Sequence, residues 1–447
     1  MTDSREMVYS ACVAWFADWV AADPPQLVDS WDLSNWMETE MTHATEVFLE
    51  HAFHTPRARN DALLILRALF YEYFLFQQQL AIATLTPKHE AVARIPAMPQ
   101  TSQKSAAWHA ESRNMLSGHE FGGIVVGGPA ERNTILAKKC APEIVVTGAE
   151  AEAESQTVFL TGESGLSPFK WGWRYEPVAR ALFEAAVAKA PVNDTLGRVR
   201  HSSLPRLGAS PDGLITAGPR AGRLVEIKCP ISRQLDGSVP LRYYCQMQLQ
   251  AEVCDVDAVD YIEVQFAAAP QDSVTPDILT LGKLPYIGKV CVTADSEDTT
   301  PSAYSYEYSP LFPNTAEGYT ACLDWTPAKP IVLEKSVWYV KDVFTTTVMR
   351  NKRWWADVGY PGYLQFWKDA DAARLDGRYK SVALFVDSES EDSDREERDT
   401  EDATDGAANN AALSEPESDV EGWQGVESDH TTQDGCSDSD SVASEQS

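Results

Sequence analysis

The stretch Gly208–Cys229, GASPDGLITAGPRAGRLVEIKC, combines two short apolar runs with turn residues and charged residues at fixed spacing. Asp212 lies in a Pro-Asp-Gly turn that leads into the first apolar run. The glycines and proline within residues 216–222 predict a second turn before the next run begins. We therefore expect a hairpin that folds Asp212 back towards Glu226.

The second run, Leu224–Cys229, is predicted to be a strand, in which successive side chains point to opposite faces. Val225 and Ile227 then face a core. Glu226 and Lys228 share the other face. A surface hairpin with charges on it fits this pattern as well as a binding site does. Two carboxylates brought to one point, however, repel each other unless a proton or a cation lies between them.

The charged residues of the hairpin are those that a metal-assisted reaction uses. Asp212 and Glu226 are hard oxygen ligands without an accompanying Cys or His, a set that suits Mg²⁺ or Mn²⁺. Lys228 is placed to orient or deprotonate a water, or to stabilise a phosphate oxyanion. The pattern therefore predicts metal-assisted phosphodiester hydrolysis.

Polar residues before and after the hairpin extend this set. Glu176 in WGWRYEP is predicted to lie in the first turn of a helix, where an acidic side chain also complements the helix dipole. Gln246 and Gln250 share one face of the helix predicted for YYCQMQLQAEV, although such amides are also common on surfaces.

Arg113 follows a helical stretch and precedes LSGHEFGG. Ser117, His119 and the amides of the nearby glycines are suited to holding a phosphate.

The motifs W-x4-R, SGHEF, WGWRYEP, GASPDGL, VEIKCPISR and YYCQMQLQ occur in this order. In that order they resemble the YqaJ-type viral recombinases. That group includes the lambda-type exonucleases and, more distantly, the herpesvirus alkaline nucleases, within the PD-(D/E)xK nuclease superfamily. The resemblance covers roughly residues 103–270, with GASPDGL followed by EIKCP as its strongest element. It implies an α/β fold with a PD-(D/E)xK restriction-endonuclease-like core, in which helices flank a central mixed sheet.

The resemblance implies a magnesium site, with Mn²⁺ as an alternative ion and two metals bound. It makes Asp212, Glu226 and the backbone carbonyl of Ile227 metal ligands. Glu176 would support the second metal or its waters. Lys228 would activate or position the attacking water.

The resemblance also implies residues that bind the DNA strand. Arg113 matches the arginine that binds a DNA phosphate, whereas Gln246 matches the first glutamine of the family's Q-x-Q element and is expected to be one of the catalytic residues. Ser117, His119 and Gln248 are expected to contribute to phosphate binding. The family usually has Thr-Ala-Ser before an aromatic residue, whereas this chain has Ser-Gly-His. Histidine can donate to a phosphate as serine does.

The leading interpretation is a magnesium-dependent exodeoxyribonuclease that resects double-stranded DNA ends in viral-type recombination or DNA processing, with 5′→3′ polarity implied by the resemblance. The alternatives are an RNA endonuclease of the host-shutoff type and a catalytically inactive nucleic-acid-binding scaffold. The presence of Asp212, Glu226 and Lys228 together favours an enzyme. The expected partners are DNA ends and a single-strand annealing protein, without a small-molecule cofactor or a membrane.

Composition narrows the class of protein. A hydrophobic fraction of 44% with 13 Trp supplies a core for several domains in 447 residues. There is no run of 18 apolar residues and no basic start of a secretory signal, so we expect no membrane span. The eight cysteines lack a CxxC pair, which argues against zinc, iron–sulfur and disulfide frameworks. We therefore expect an intracellular protein, in the host nucleus or cytoplasm if the source is viral.

The net charge of −30 is concentrated near the C-terminus. Residues 387–447 contain 21 acidic residues and two arginines, which leaves 46 acidic and 35 basic residues in positions 1–386. Binding of nucleic acid would therefore need a local basic patch or metal ions. The chain is predicted to comprise a helical N-terminal region (1–100), a nuclease core (101–295), a C-terminal extension that packs on the core (296–385) and a disordered acidic tail (386–447).

Overall fold

A mixed β-sheet lies at the centre of the protein in the computed structural model, which describes residues 4–22, 24–141, 166–296 and 304–377. The predicted acidic tail and the end of the predicted C-terminal extension lie outside the described residues. The strands are β1 Gln100–Thr101, β2 Val192–Asn193, β3 Arg198–Arg200, β4 Gly208–Ala209, β5 Gly213–Ile215, β6 Leu224–Lys228, β7 Ala258–Pro270, β8 Tyr286–Ala294, β9 Tyr304–Tyr308, β10 Phe312–Pro313 and β11 Ile331–Met349.

The large sheet has the strand order β10-β8-β11-β7-β6-β5-β2, and β9 also pairs with β8. The pair β6–β7 is parallel, and its neighbours β5–β6 and β7–β11 are antiparallel. A small sheet of order β1-β3-β4 lies apart from this path. The predicted fold class, a central mixed sheet flanked by helices, is confirmed.

Helices cover both faces of the sheet and form the N-terminal region, as the sequence predicts. None of the described helices is long and apolar enough to span a membrane. They are α1 Arg5–Ala21, α2 Ser30–Thr39, α3 Met41–Ala52, α4 Pro56–Ala83, α5 His89–Ala97, α6 Ala106–Ser112, α7 Gly118–Val125, α8 Pro129–Cys140, α9 Pro168–Leu182, α10 Leu241–Cys254, α11 Ile278–Leu281, α12 Ala316–Asp324, α13 Lys352–Trp354 and α14 Tyr360–Asp376.

The hairpin predicted from Gly208–Cys229 is formed by β5 and β6, with Gly213 opposite Val225. Its turn ends at Gly222, which has φ +87°, a backbone conformation that side-chain-bearing residues rarely adopt. A Cβ at Gly222 would also collide with the backbone carbonyl of Lys88. Glycine is therefore needed at this position both for the turn and for its contact with the N-terminal region.

The side chains of β6 alternate as predicted. Val225 and Ile227 are buried in a core cluster that includes Tyr175 of α9. Leu224 is buried in the cluster on the opposite face, which includes Met247 of α10. The polar side chains of β6 therefore point towards α10.

The helix that carries Glu176 starts earlier than predicted. Ser167 caps its N-terminus by accepting from the amide of Lys170 (3.4 Å), and Pro168 occupies the first turn, where a missing N–H does not matter. Glu176 therefore lies in the second half of α9 and not in its first turn. Pro177 lies inside the helix, where it cannot donate the usual backbone hydrogen bond.

The N-terminal helices have an aromatic core, and they contact the helix α10. Trp19 and Trp36 lie edge-on to Phe70, with ring centroids 4.8 and 4.9 Å apart. The hydroxyl of Tyr244 on α10 donates to the buried carboxylate of Asp29 at 2.6 Å. The described residues belong to one compact unit, Met1–Glu397, so the boundaries placed at residues 100, 295 and 385 stay predictions.

Candidate active site

Glu226 is the centre of the candidate site. It lies in the middle of β6 and is fully buried. Its Oε1 is 2.6 Å from Nζ of Lys228 and accepts from Nε2 of Gln246 at 2.7 Å. Its Oε2 accepts from Nε2 of Gln250 at 2.6 Å. Because three side chains bind its two oxygens, the orientation of this carboxylate is fixed.

Asp212 approaches the same strand from the turn before β5. Its Oδ2 accepts from the backbone amide of Ile227 at 2.7 Å. Burial raises the pKa of Asp212 well above its usual range, and the carboxylates of Glu226 and Glu176 raise it further. The structure therefore brings Asp212 back to β6, as the hairpin predicted, and the repulsion between the carboxylates is present.

Glu176 reaches this region from α9, in the opposite helical layer. Burial and the charge of Glu226 raise the pKa of Glu176, while Arg180, Lys228 and Lys104 act in the opposite direction. Glu176 thus lies within electrostatic range of the acid and the base on β6. A position in the middle of a helix also removes the dipole interpretation, because that effect is confined to the first turn.

Lys228 is half-buried and contacts Glu226, Gln246 and Tyr243. Its Nζ is 3.5 Å from Oε1 of Gln246 and 4.7 Å from the ring centroid of Tyr243. Burial alone would lower the pKa of Lys228, but Glu226, Tyr243 and Asp212 outweigh burial and raise it. The ammonium group therefore stays charged at neutral pH in this arrangement.

The side-chain oxygens at this site are the type of ligand that a divalent cation prefers. Asp212 and Glu226 offer oxygen ligands, and the buried Oε1 of Gln250 has no hydrogen-bond partner among the described residues. A cation would also relieve the repulsion recorded in the raised pKa of Asp212. In the described part of the chain, however, no three Asp, Glu, His or Cys side chains lie close enough together to hold a metal, so Glu176 does not close a three-carboxylate shell here.

The predicted phosphate-binding segment lies against the helix that carries the glutamines. Gly118 begins α7, and a Cβ there would lie 2.8 Å from Cγ of Gln246, so only glycine permits this approach. Ser117 donates from its amide and its hydroxyl to Oε2 of Glu120, each at 3.1 Å. His119 is exposed. The hydroxyl of Ser117 thus donates to Glu120 and not to the outside.

Gln248 does not lie where a phosphate contact requires. It is 2% exposed, on the side of α10 away from Glu226. Its Nε2 donates to the carbonyl of Met349 at 2.8 Å, and its Oε1 accepts from the amide of Asn351 at 2.7 Å. Both ends of the amide are bonded to the backbone of the C-terminal extension, so the predicted phosphate contact is replaced by a structural role.

Sequence reasoning left out three residues that border the site: Tyr243, Glu120 and Lys139. It placed Gln250 beside Gln246 on one helix face but gave it no role of its own. The i, i+4 spacing of Gln246 and Gln250 was a usable signal, since it places both amides on one helix face. Lys139 carries no local signal, because its partners are distant in the sequence.

Comparison with known proteins agrees with the motifs. Residues 107–257 match the YqaJ-like viral recombinase domain. This is the family that the motif order predicted, and the matched residues contain Arg113, the carboxylates, Lys228 and the glutamines. No curated protein sequence matches the chain.

Solved structures with some likeness include an alkaline exonuclease, LHK-Exo, from Laribacter hongkongensis. It is 16% identical, with 62% of this chain and 98% of that chain covered, and the TM-score is 0.32. The Shutoff and Exonuclease Protein from Kaposi's sarcoma-associated herpesvirus is 12% identical, with 84% and 93% covered and a TM-score of 0.22. Because these scores are low, the assignment rests on the YqaJ-like domain, which supports a nuclease.

Proposed function

We propose that this YqaJ-like protein is a divalent-metal-dependent exodeoxyribonuclease that degrades double-stranded DNA from its ends. The observation that carries the proposal is Glu226, a fully buried carboxylate bound by Lys228, Gln246 and Gln250, with Asp212 bonded to the next residue of the strand. Placing the half-buried carboxylate of Asp212 beside the buried one of Glu226 is unfavourable, so a cluster of this kind is more typical of a reaction site than of a structural one.

Asp212 and Glu226 would hold the metal, Mg²⁺ or Mn²⁺, with the carbonyl of Ile227 beside them. Glu176 would act on a second ion or its waters. When bound, such an ion polarises the phosphoryl oxygen and lowers the pKa of a coordinated water. Lys228, Gln246 and Gln250 fix the orientation of the Glu226 carboxylate, and an ion would share its oxygens with them.

Lys228 supplies positive charge next to these carboxylates. Because its pKa is raised, it is protonated and suited to orient the attacking water or to stabilise the charge that develops on the phosphate. It is less suited to removing a proton. Its hydrogen bond to Gln246 is long, at 3.5 Å, so a substrate oxygen could replace that contact while the ion pair with Glu226 is kept.

The DNA strand would pass along the segment that contains Arg113, Ser117 and His119. Support for this comes from the contact of Gly118 with Gln246, since that contact joins the segment to the helix of the site. The polarity, 5′→3′, and a single-strand annealing protein as partner follow from the resemblance. Action inside the host cell, in recombination or genome processing, is part of the same proposal.

The test is digestion of linear duplex labelled at the 5′ or the 3′ end, beside labelled RNA, with Mg²⁺ and with a chelator. We expect duplex degradation only with Mg²⁺, and early release of the 5′ label. Cleavage of RNA alone would favour the shutoff-type endonuclease. Binding of duplex without cleavage in Mg²⁺ or Mn²⁺ would favour the inactive scaffold.

A further inference from the structure

A buried lysine outside the motifs is connected to both ends of the segment Arg113–Ser117, to one directly and to the other through Glu120. Lys139, on α8, is 2% exposed. Its Nζ donates to the carbonyl of Ser112, the last residue of α6, at 2.6 Å, and it also forms an ion pair with Glu120. Carbonyl groups at a helix C-terminus lack partners within the helix, so a cation is favoured there.

Glu120 connects this lysine to the other end of the segment. Its second carboxylate oxygen accepts from both the amide and the hydroxyl of Ser117. Burial would raise the pKa of Glu120, but the charge of Lys139 and these hydrogen bonds lower it, so the carboxylate is charged. A continuous chain of contacts thus runs from Ser112 through Lys139 and Glu120 to Ser117, with Arg113 inside it.

Arg374, on α14, binds the same segment from another direction. Its Nη2 lies 3.3 Å from the carbonyl of Arg113, 3.0 Å from Oδ1 of Asn114 and 2.7 Å from the carbonyl of Lys139. One guanidinium group therefore binds the ends of both α6 and α8. Arg374 lies beyond the residues that match the YqaJ-like domain.

Arg113 itself differs from these two residues. It is half-buried, and in the described part of the chain its guanidinium group makes no hydrogen bond or ion pair, whereas its carbonyl is held by Arg374. The backbone of the residue is therefore fixed while its cationic group is left for an outside partner. This arrangement suits a strand phosphate, which accepts two parallel hydrogen bonds from arginine.

We propose that Lys139 and Arg374 are positioning residues, which hold the segment Arg113–Ser117 so that Arg113 can bind a phosphate of the DNA strand. The last described helix, α14, is then part of the substrate-binding machinery and not only a packing element. The inference rests on the proposed function, because that function gives Arg113 its ligand.

The test compares Arg374→Gln with a matched control, Arg132→Gln. Arg132 also joins α8 to α14, through an ion pair with Asp369 at 2.7 Å, and among the described residues it makes no hydrogen bond or ion pair with the segment. We expect Arg374→Gln to raise the Kd for linear duplex, measured in chelator, by about tenfold, equivalent to about 1.4 kcal/mol. The KM should rise similarly while kcat stays within about twofold, and Arg374→Lys should recover part of the loss. The control should change neither Kd nor KM.

A double-mutant cycle separates positioning from a general loss of positive charge. If Arg374 acts through Arg113, then Arg374→Gln should add little to the effect of Arg113→Gln. Additive effects, or an Arg374→Gln protein with the Kd of the wild type, would overturn the inference. Should Arg374→Gln fail to fold, Lys139→Arg takes its place in the Kd measurement. This variant keeps the positive charge but changes the shape of the group that binds Ser112 and Glu120, so its Kd for duplex should also rise. A wild-type protein that binds duplex but does not cleave it contradicts the proposed function alone, because the Kd measurements need no catalysis.

Discussion

The carboxylate site on β6 and the proposed phosphate-binding segment, Arg113–Ser117, are built in different ways. The first is local: Asp212, Glu226 and Lys228 lie within 17 consecutive residues, and a single hairpin brings them together. The second depends on Lys139 and Arg374, and Arg374 is 261 residues from Arg113. The comparison suggests that the proposed reacting groups are positioned by strand geometry, whereas the proposed substrate-binding segment depends on contacts between distant parts of the chain.

The largest expected effect comes from removing a reacting group. Lys228→Ala or Asp212→Ala should reduce magnesium-dependent cleavage of linear duplex by about a thousandfold or more, because charge stabilisation or metal binding is lost. The Kd for duplex in chelator should change much less, because Arg113–Ser117 is intact. Cleavage at the wild-type rate by either variant would show that the site is elsewhere, and Lys335→Ala on the exposed part of β11 serves as a control for charge.

The difference between local and distant contacts explains which features the sequence could predict. Strand alternation placed Glu226 and Lys228 on one face, and helical spacing placed Gln246 and Gln250 together, since both patterns depend on near neighbours. The start of the helix that carries Glu176 was misplaced, because Ser167–Pro168 is a stronger start signal than the later proline.

The remaining errors come from contacts that local patterns do not contain. The position of Gln248 is determined by Met349 and Asn351, which lie about a hundred residues further along the chain. Lys139 occurs in an ordinary amphipathic helix, and only its tertiary contacts with Ser112 and Glu120 show that it is buried and paired. Without an approximate tertiary structure, no spacing rule identifies either contact.

The next effect in size tests how far the carboxylate site depends on its fixed geometry. Gln250→Leu removes the donor to Oε2 of Glu226 and leaves that oxygen buried without a partner. We expect kcat to fall by roughly ten- to a hundredfold with little change in KM. Steady-state kinetics on linear duplex would measure this, and an unchanged kcat would mean that Gln246 and Lys228 are sufficient to orient Glu226.

Gln248→Leu is the matched variant on the other side of the same helix. It should reduce the free energy of unfolding by about 1–3 kcal/mol, because the backbone groups of Met349 and Asn351 lose their partners. Neither the Kd for duplex nor kcat should change at a temperature where the variant is folded. Denaturant titration and duplex binding give both numbers. If the Kd for duplex rises while the free energy of unfolding is unchanged, the predicted phosphate contact of Gln248 would be supported after all.

The smallest effect concerns stability and its dependence on pH. Because burial, Glu226 and Glu176 raise the pKa of Asp212, the folded state binds the proton of this group more tightly than the unfolded state does. The free energy of unfolding should therefore fall as pH rises from the unfolded pKa of about 3.9 through the raised folded pKa. Asp212→Asn removes this contribution and can still accept from the amide of Ile227, so above that range we expect its Tm in chelator to exceed that of the wild type by about 2–4 °C. At about pH 4 the two Tm values should converge.

Added Mg²⁺ should raise the Tm of the wild type and not that of the variant, since binding to the folded state is stabilising. Equal Tm values of the wild type and the variant across this pH range would mean that Asp212 and Glu226 do not repel each other. The carboxylate site would then lack the repulsion that a bound cation would relieve.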